Sequence, residues 1–194
     1  MAFYPKNDVL WAFPIFPAVQ EAQAAARFQR GKPPRSRSAT SWNQRKGFSF
    51  KVVDEKQAVR FAKEFEPVVI DTQARPSEED LKALAEGCDL LIVPLTPDAL
   101  SLDTLFLFTD ALARLGAHRF KILLTIVPPK PSRDGEEVLN TLKEAKLPFF
   151  KTVIRRYKVF QKAALDGVLV RDMADPHAAD AWADYVRVAK EVLS

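Results

Sequence analysis

A chain of 194 residues with 47% hydrophobic and 28% charged residues has the balance of one globular domain with a sizeable core. Its net charge of +4 is mildly basic, compatible with a nucleic-acid surface but not diagnostic of one. A single cysteine, Cys88, and two histidines, His118 and His177, exclude an internal disulfide framework and argue against a Cys/His zinc centre.

Residues 1–36 are aromatic and proline-broken. Residues 9–13 have strand character, but Pro14 and Pro17 demote them to an edge or a loop. An alanine-rich helix is expected next, ended by Gly31 and Pro33, followed by the basic, proline-rich "GKPPRSRS". From residue 48 the pattern is more regular. "FSFKVVD" alternates as a strand should, and "EKQAVRFAKEFE" has helical spacing through Ala58, Phe61, Ala62 and Phe65.

The organising stretch is 67–97. Val68, Val69 and Ile70 predict a strand buried on both faces, ending in Asp71 and Thr72. Ser77 predicts an N-cap with Asp80 three residues on, Leu81, Leu84 and Ala85 an apolar stripe, and Gly87 a stop. Leu90 to Val93 make a second buried strand closed by Pro94 and Pro97. Two such strands joined through a helix imply a parallel βαβ unit. Asp71 reads either as a strand-end cap or as a carboxylate facing a divalent cation, because open α/β sheets hold ligands at this end.

Further on, "SLDTLFLFTDALARLG" predicts a helix with Ser101 as N-cap and Gly116 as C-cap. Its apolar residues cover more than one face, so it is buried by the sheet and offers a possible contact to a second subunit. Residues 120–129 predict a third buried strand, Asp134-Gly135 a turn before a helix, and "FFKTVI" a fourth strand. The stretch "RRYKVFQKAALDGVLV" gathers Arg155, Arg156, Lys158 and Lys162, with Arg171 just beyond, around Tyr157 and Phe160; it reads either as a solvated face or as a set of phosphate contacts. The final helix is expected to be capped by Asp175, with Pro176 first, and to pack its stripe on the sheet rather than on a membrane. No apolar run reaches the roughly 18 residues of a spanning helix, and no signal-peptide pattern opens the chain, which predicts a cytoplasmic protein.

"VVIDTQARPSEEDLKALAEGCDLLIVPLTPDALSLDTL" resembles the second half of a ParA/MinD-type partition ATPase, a P-loop NTPase. The likeness runs from about residue 37 to the end and predicts an α/β fold of three layers. Its Rossmann-like central sheet would be mostly parallel, with helices on both faces. The resemblance implies that Asp71 is the catalytic-site carboxylate holding Mg²⁺ through water. It also implies that Ser38, Thr72, Pro128 and Pro129 lie by ATP, and that Arg155, Arg156, Lys158 and Lys162 bind DNA nonspecifically. A ParB-like partner protein and a homodimer follow from the same resemblance.

Two family motifs fail. The six glycines, Gly31, Gly47, Gly87, Gly116, Gly135 and Gly167, are all far apart, whereas a phosphate loop needs several together so that backbone N–H groups can wrap the phosphates. In "PRSRSATSW", Ser38, Ala39 and Trp42 match the next motif, but Pro34 stands where it has aspartate. The expected division is therefore a divergent segment 1–36 and a ParA-like domain 37–194. A mis-start, a frameshift and a genuine truncation each account for it. With no phosphate cradle, phosphate release from ATP in the presence of Mg²⁺ and DNA is expected to fall short of a family-like rate. A colorimetric phosphate assay showing family-like turnover would overturn that.

Overall fold

The computed structural model describes Val69 and residues 77–194. The strand and helix expected at 48–66 and the strand at 68–70 lie outside the described residues, apart from half-buried Val69; so do Ser38, Asp71 and Thr72.

Helix α1, Glu78–Gly87, begins as its sequence predicts. Ser77 Oγ accepts the Asp80 N–H at 3.1 Å and donates to the Asp80 carboxylate at 2.9 Å. Gly87 is its last residue but is not left-handed; Cys88 turns the chain to extended backbone while its N–H still reaches Leu84 O at 3.1 Å. Strand β1, Leu91–Leu95, runs through Pro94 instead of stopping there. The parallel register explains this. Leu91 N–H and Leu95 C=O are bonded toward the next strand, so the neighbouring position 94 faces the opposite edge, where β2 loses no ladder bond to a missing N–H.

Helix α2, Ala99–Arg114, starts earlier than expected. Its N-cap is Asp98, not Ser101: the Asp98 carboxylate accepts Ser101 N–H at 2.9 Å. At the other end Gly116, at φ 66°, follows the C-cap Leu115. Gly116 N–H reaches Ala113 O and Ala117 N–H reaches Leu112 O, the paired bonds of a Schellman turn. Leu105, Phe108 and Leu112 are buried, while Leu100 and Leu107 on the outer side are 80% and 72% exposed.

Strand β2, Phe120–Leu124, pairs in parallel with β1, Leu91 opposite Phe120 through Leu95 opposite Leu124. It is shorter than the 120–129 expected, because Ile126 takes φ 55° and bends the chain. Helix α3, Asp134–Glu144, absorbs the turn predicted at Asp134-Gly135: both residues are its first turn. It also ends in a Schellman turn, with Leu147 N–H on Leu142 O at 3.0 Å and Lys146 N–H on Lys143 O at 3.1 Å, but here Lys146 occupies the left-handed position at φ 55°.

The fourth strand expected from "FFKTVI" forms only in pieces. Residues 148–156 run parallel along the free side of β2. Phe150 N–H reaches Ile122 O, Ile154 N–H reaches Leu124 O and Arg156 N–H reaches Val127 O, with isolated bridges at Phe149 and Arg155. Between these contacts Lys151 and Thr152 leave the ladder and give their N–H groups to the Glu191 carboxylate at 2.9 and 2.7 Å.

Helix α4, Lys158–Asp166, ends at Gly167 with φ 70°, and a short 3-10 turn, Val170–Asp172, leads to helix α5, Ala178–Val192. The N-cap of α5 is His177, not Asp175. Asp175 sits two residues earlier, its carboxylate taking the His177 N–H at 3.0 Å and its carbonyl the Ala178 N–H at 3.0 Å.

Side-chain alternation along the strands builds two cores. Leu91, Val93, Leu95, Ile122 and Leu124 face α1, α2 and α3 through Leu81, Leu105, Phe108, Leu112, Val138 and Leu142. Leu123, Phe150 and Ile154, with Leu90 and Ile92 at the margin, face α4 and α5 through Val159, Phe160, Ala181, Tyr185 and Val188. The protein is thus a three-layer α/β fold with a parallel sheet and helices on both faces. The α5 stripe is buried against that sheet, as its sequence predicts. Among the described residues no helix is long and apolar enough to cross a membrane.

A side chain in the left-handed region costs about 1 kcal/mol. Lys146→Gly is therefore expected to stabilise the fold by about that amount, raising the urea midpoint with an unchanged slope; a lowered midpoint would contradict the Schellman assignment.

Candidate functional site

Three chain segments leave the sheet at its C-terminal edge, where open α/β folds bind ligands. The first follows β1. Thr96 Oγ1 donates to Asp98 Oδ2 at 2.5 Å and lies 2.6 Å from Ser101 Oγ, which itself donates to Asp98 Oδ2 at 2.8 Å. Partial burial pulls the Asp98 carboxyl upward, but the hydrogen bonds from Thr96 and Ser101 outweigh it and hold the group below its ordinary value. Asp98 is thus an ionised cap already occupied by local donors.

The second segment follows β2. Thr125 is buried and directs both its N–H and Oγ1 at Leu95 O, at 2.7 and 3.2 Å, tying the two strand ends together. Ile126, β-branched and left-handed, turns the chain so that Val127 bridges to Arg155. A Cβ added to Gly135 would lie 2.7 Å from Val127 Cγ1, so the glycine lets α3 close on this loop. Pro128 then sits half-buried and Pro129 exposed on the edge.

The third segment carries the basic residues. Asp184 of α5 is fully buried, on the same helical face as Ala181, Tyr185 and Val188. A buried carboxylate requires paired, hydrogen-bonded cations. Arg155 supplies Nη2 at 2.8 Å and Nε at 3.0 and 3.2 Å, and its backbone N–H adds a bond at 3.1 Å. Arg187 pairs with the same carboxylate. The Asp184 hydrogen bonds push the Arg155 pKa upward, so this guanidinium is held charged and in place. It also lies 5.1 Å from the Tyr157 ring centre, and Tyr157 stacks on His177 at 5.8 Å.

Of the four cations grouped in the sequence, Arg155 is committed to Asp184 and Lys162 to Asp175, at 2.7 Å. Arg156 and Lys158 are exposed and make no ion pair among the described residues. The structure brings Pro128, Pro129 and the 155–158 segment to one edge, through the bridge at Val127. Sequence reasoning passed over Asp184, although an acid on the buried stripe of an amphipathic helix is itself a sign of a paired cation. Glu191 carried no such sign. Among the described residues no group of His, Cys, Asp and Glu is arranged to hold a metal ion. Asp98 is engaged by Thr96 and Ser101, and Asp71, the carboxylate expected to face Mg²⁺, lies outside the described residues.

The parallel sheet and its two helical layers define a three-layer α/β protein of the kind that binds ligands at this edge. MinD cell division protein of Aquifex aeolicus has the same fold, with a TM-score of 0.67 at 10% identity, covering 99% of this chain and 95% of that one. Maintenance of carboxysome distribution protein A of Gloeobacter kilaueensis is 33% identical over 125 residues, 64% of this chain and 58% of the relative. Over that partial stretch the chain is related to the ParA/MinD-type partition ATPases. It thus spans less than two thirds of that relative. No protein-family model matches it.

Removing a buried carboxylate strands its partners, but both guanidinium groups reach solvent here, so Asp184→Ala is expected to cost about 3 kcal/mol, at the low end for a buried pair. A loss under about 1 kcal/mol in urea denaturation would show that the pairing is not structural. At Glu191, partial burial raises the carboxyl pKa, but the Thr152 and Lys151 hydrogen bonds override it and the pKa is lowered overall. Its contribution is therefore present above the unfolded value of about 4.3 and is lost as pH falls through the lower folded value. Glu191→Gln should reduce stability at neutral pH and flatten the acid limb of the stability profile; an unchanged acid limb would refute this.

Proposed function

We propose that this chain is a ParA/MinD-like cargo-partitioning protein that acts by associating nonspecifically with DNA, with ATP hydrolysis impaired. The observation that carries the reading is the exposed basic segment at the C-terminal sheet edge, where Arg156 and Lys158 make no ion pair among the described residues. The relationship to a protein named for maintaining carboxysome distribution supports a positioning role, with a chromosome or plasmid as the cargo of the partition branch. A ParB-like stimulating protein and a second copy of the chain are the partners this reading carries. Asp71, Thr72 and Ser38 would face the nucleotide if one binds, with Pro128 and Pro129 on the base side. The divergent segment before residue 37 marks where the family's phosphate grip is missing from the sequence.

A second reading, a non-catalytic α/β module that binds DNA or a partner protein, is favoured by the scattered glycines, which leave in-line phosphoryl transfer without its backbone cradle. Both readings predict that the chain retards a mixed-sequence DNA duplex at low salt and that binding weakens steeply as salt rises. No retardation at low salt would remove DNA from both and leave the partner-protein form of the second.

A further inference from the structure

On the side away from β1 the sheet ends at residues 148–156, and among the described residues no strand pairs beyond them. Such an edge offers its N–H and C=O groups as a template for a strand from another chain. We infer that Asp184 and Glu191 block this edge: they occupy its outward N–H groups and so keep a second copy of this chain from adding its own 148–156 segment as a further strand.

The hydrogen bonds sort the segment's N–H groups into two sets. Those of Phe150, Ile154 and Arg156 point inward to carbonyls of β2 and its extension. Those of Lys151, Thr152 and Arg155 are turned away from β2. Glu191 Oε2 and Oε1 take Lys151 and Thr152 at 2.9 and 2.7 Å, and Asp184 Oδ2 takes Arg155 at 3.1 Å. An incoming strand needs these same donors, and a carboxylate holds an N–H more strongly than a neutral carbonyl does. The second copy carries the identical row of groups, so two unblocked edges would fit one another about a two-fold axis.

Helix α5 does not shield the edge by bulk alone. Lys151 is exposed, and Thr152, Val153 and Arg155 are half-buried. Two further features oppose strand addition. Phe150 and Ile154 are four residues apart but bond to Ile122 O and Leu124 O, which are two apart on β2. Two extra residues are taken up between them, and a bulge of this kind spoils the regular register that a new strand requires. Pro148 opens the segment with no N–H to offer, and Lys151 sets a cation on its rim. The two carboxylates are the part of this arrangement that can be removed without altering the segment itself.

The test uses the full chain. In the wild type the Lys151, Thr152 and Arg155 amides should be protected from hydrogen exchange although they lie on an edge; free exchange at all three overturns the inference whether or not a variant folds. At low concentration Glu191→Ala should speed exchange at Lys151 and Thr152 by roughly tenfold or more and leave Arg155 protected. At higher concentration, well below its melting midpoint, the same variant should gain mass over the wild type in analytical ultracentrifugation and show the infrared signature of intermolecular β-structure. Val138→Ala opens the core between β2 and α3, on the other side of the sheet, and controls for lost stability; it should keep the wild-type mass. Glu191→Ala at the wild-type mass across the concentration range overturns the inference. So does Val138→Ala associating as strongly, because association would then follow lost stability and not the edge.

Discussion

Two carboxylates on one helix hold the 148–156 segment beside β2. The 148–156 segment lacks a continuous ladder with β2, so its backbone N–H groups need other acceptors. Glu191 takes those of Lys151 and Thr152, and Asp184, about two turns earlier on α5, takes that of Arg155. The helix thereby holds this segment, joins the second helical layer to the sheet and fixes the direction in which residues 155–158 leave the edge.

That fixation shapes the electrostatics. A burial site for Asp184 demands cations, and the nearest ones come from the basic stretch itself and from Arg187. The charge of the stretch is consequently partitioned, one part neutralised inside the fold and one part left to solvent. Proximity in sequence is a poor guide to which is which, because successive residues of an extended segment point to opposite sides. Arg155 and Arg156 are neighbours in the chain and opposites in environment.

The same edge gathers the turns after β1 and β2. Thr125 ties both strand ends to one carbonyl, Ile126 bends the loop through a left-handed residue, and Gly135 leaves room for Val127. The layer arrangement shared with MinD cell division protein brings these loops together at one end of the sheet. At this edge Asp98 is engaged as a helix cap, its carboxylate held by Ser101.

Fold class, the order of helices and strands, the buried stripes of α1 and α5 and the Ser77 cap were legible in the sequence, because each follows from local periodicity and short-range hydrogen bonding. The likeness to partition ATPases was legible too, from the stretch around Val68 to Leu105. What the sequence could not decide were the ends and the interruptions. Pro94 stays inside a strand because its nitrogen faces away from β2, the segment at 148–156 breaks because α5 offers carboxylates in place of a ladder, and Asp98 displaces Ser101 as a cap through bonds to Thr96. The division of the basic residues belongs to the same group: composition and periodicity determined that the cations cluster, and only the packing of α5 against the sheet decided which of them are already paired, since a pairing between residues 29 positions apart leaves no trace in local pattern.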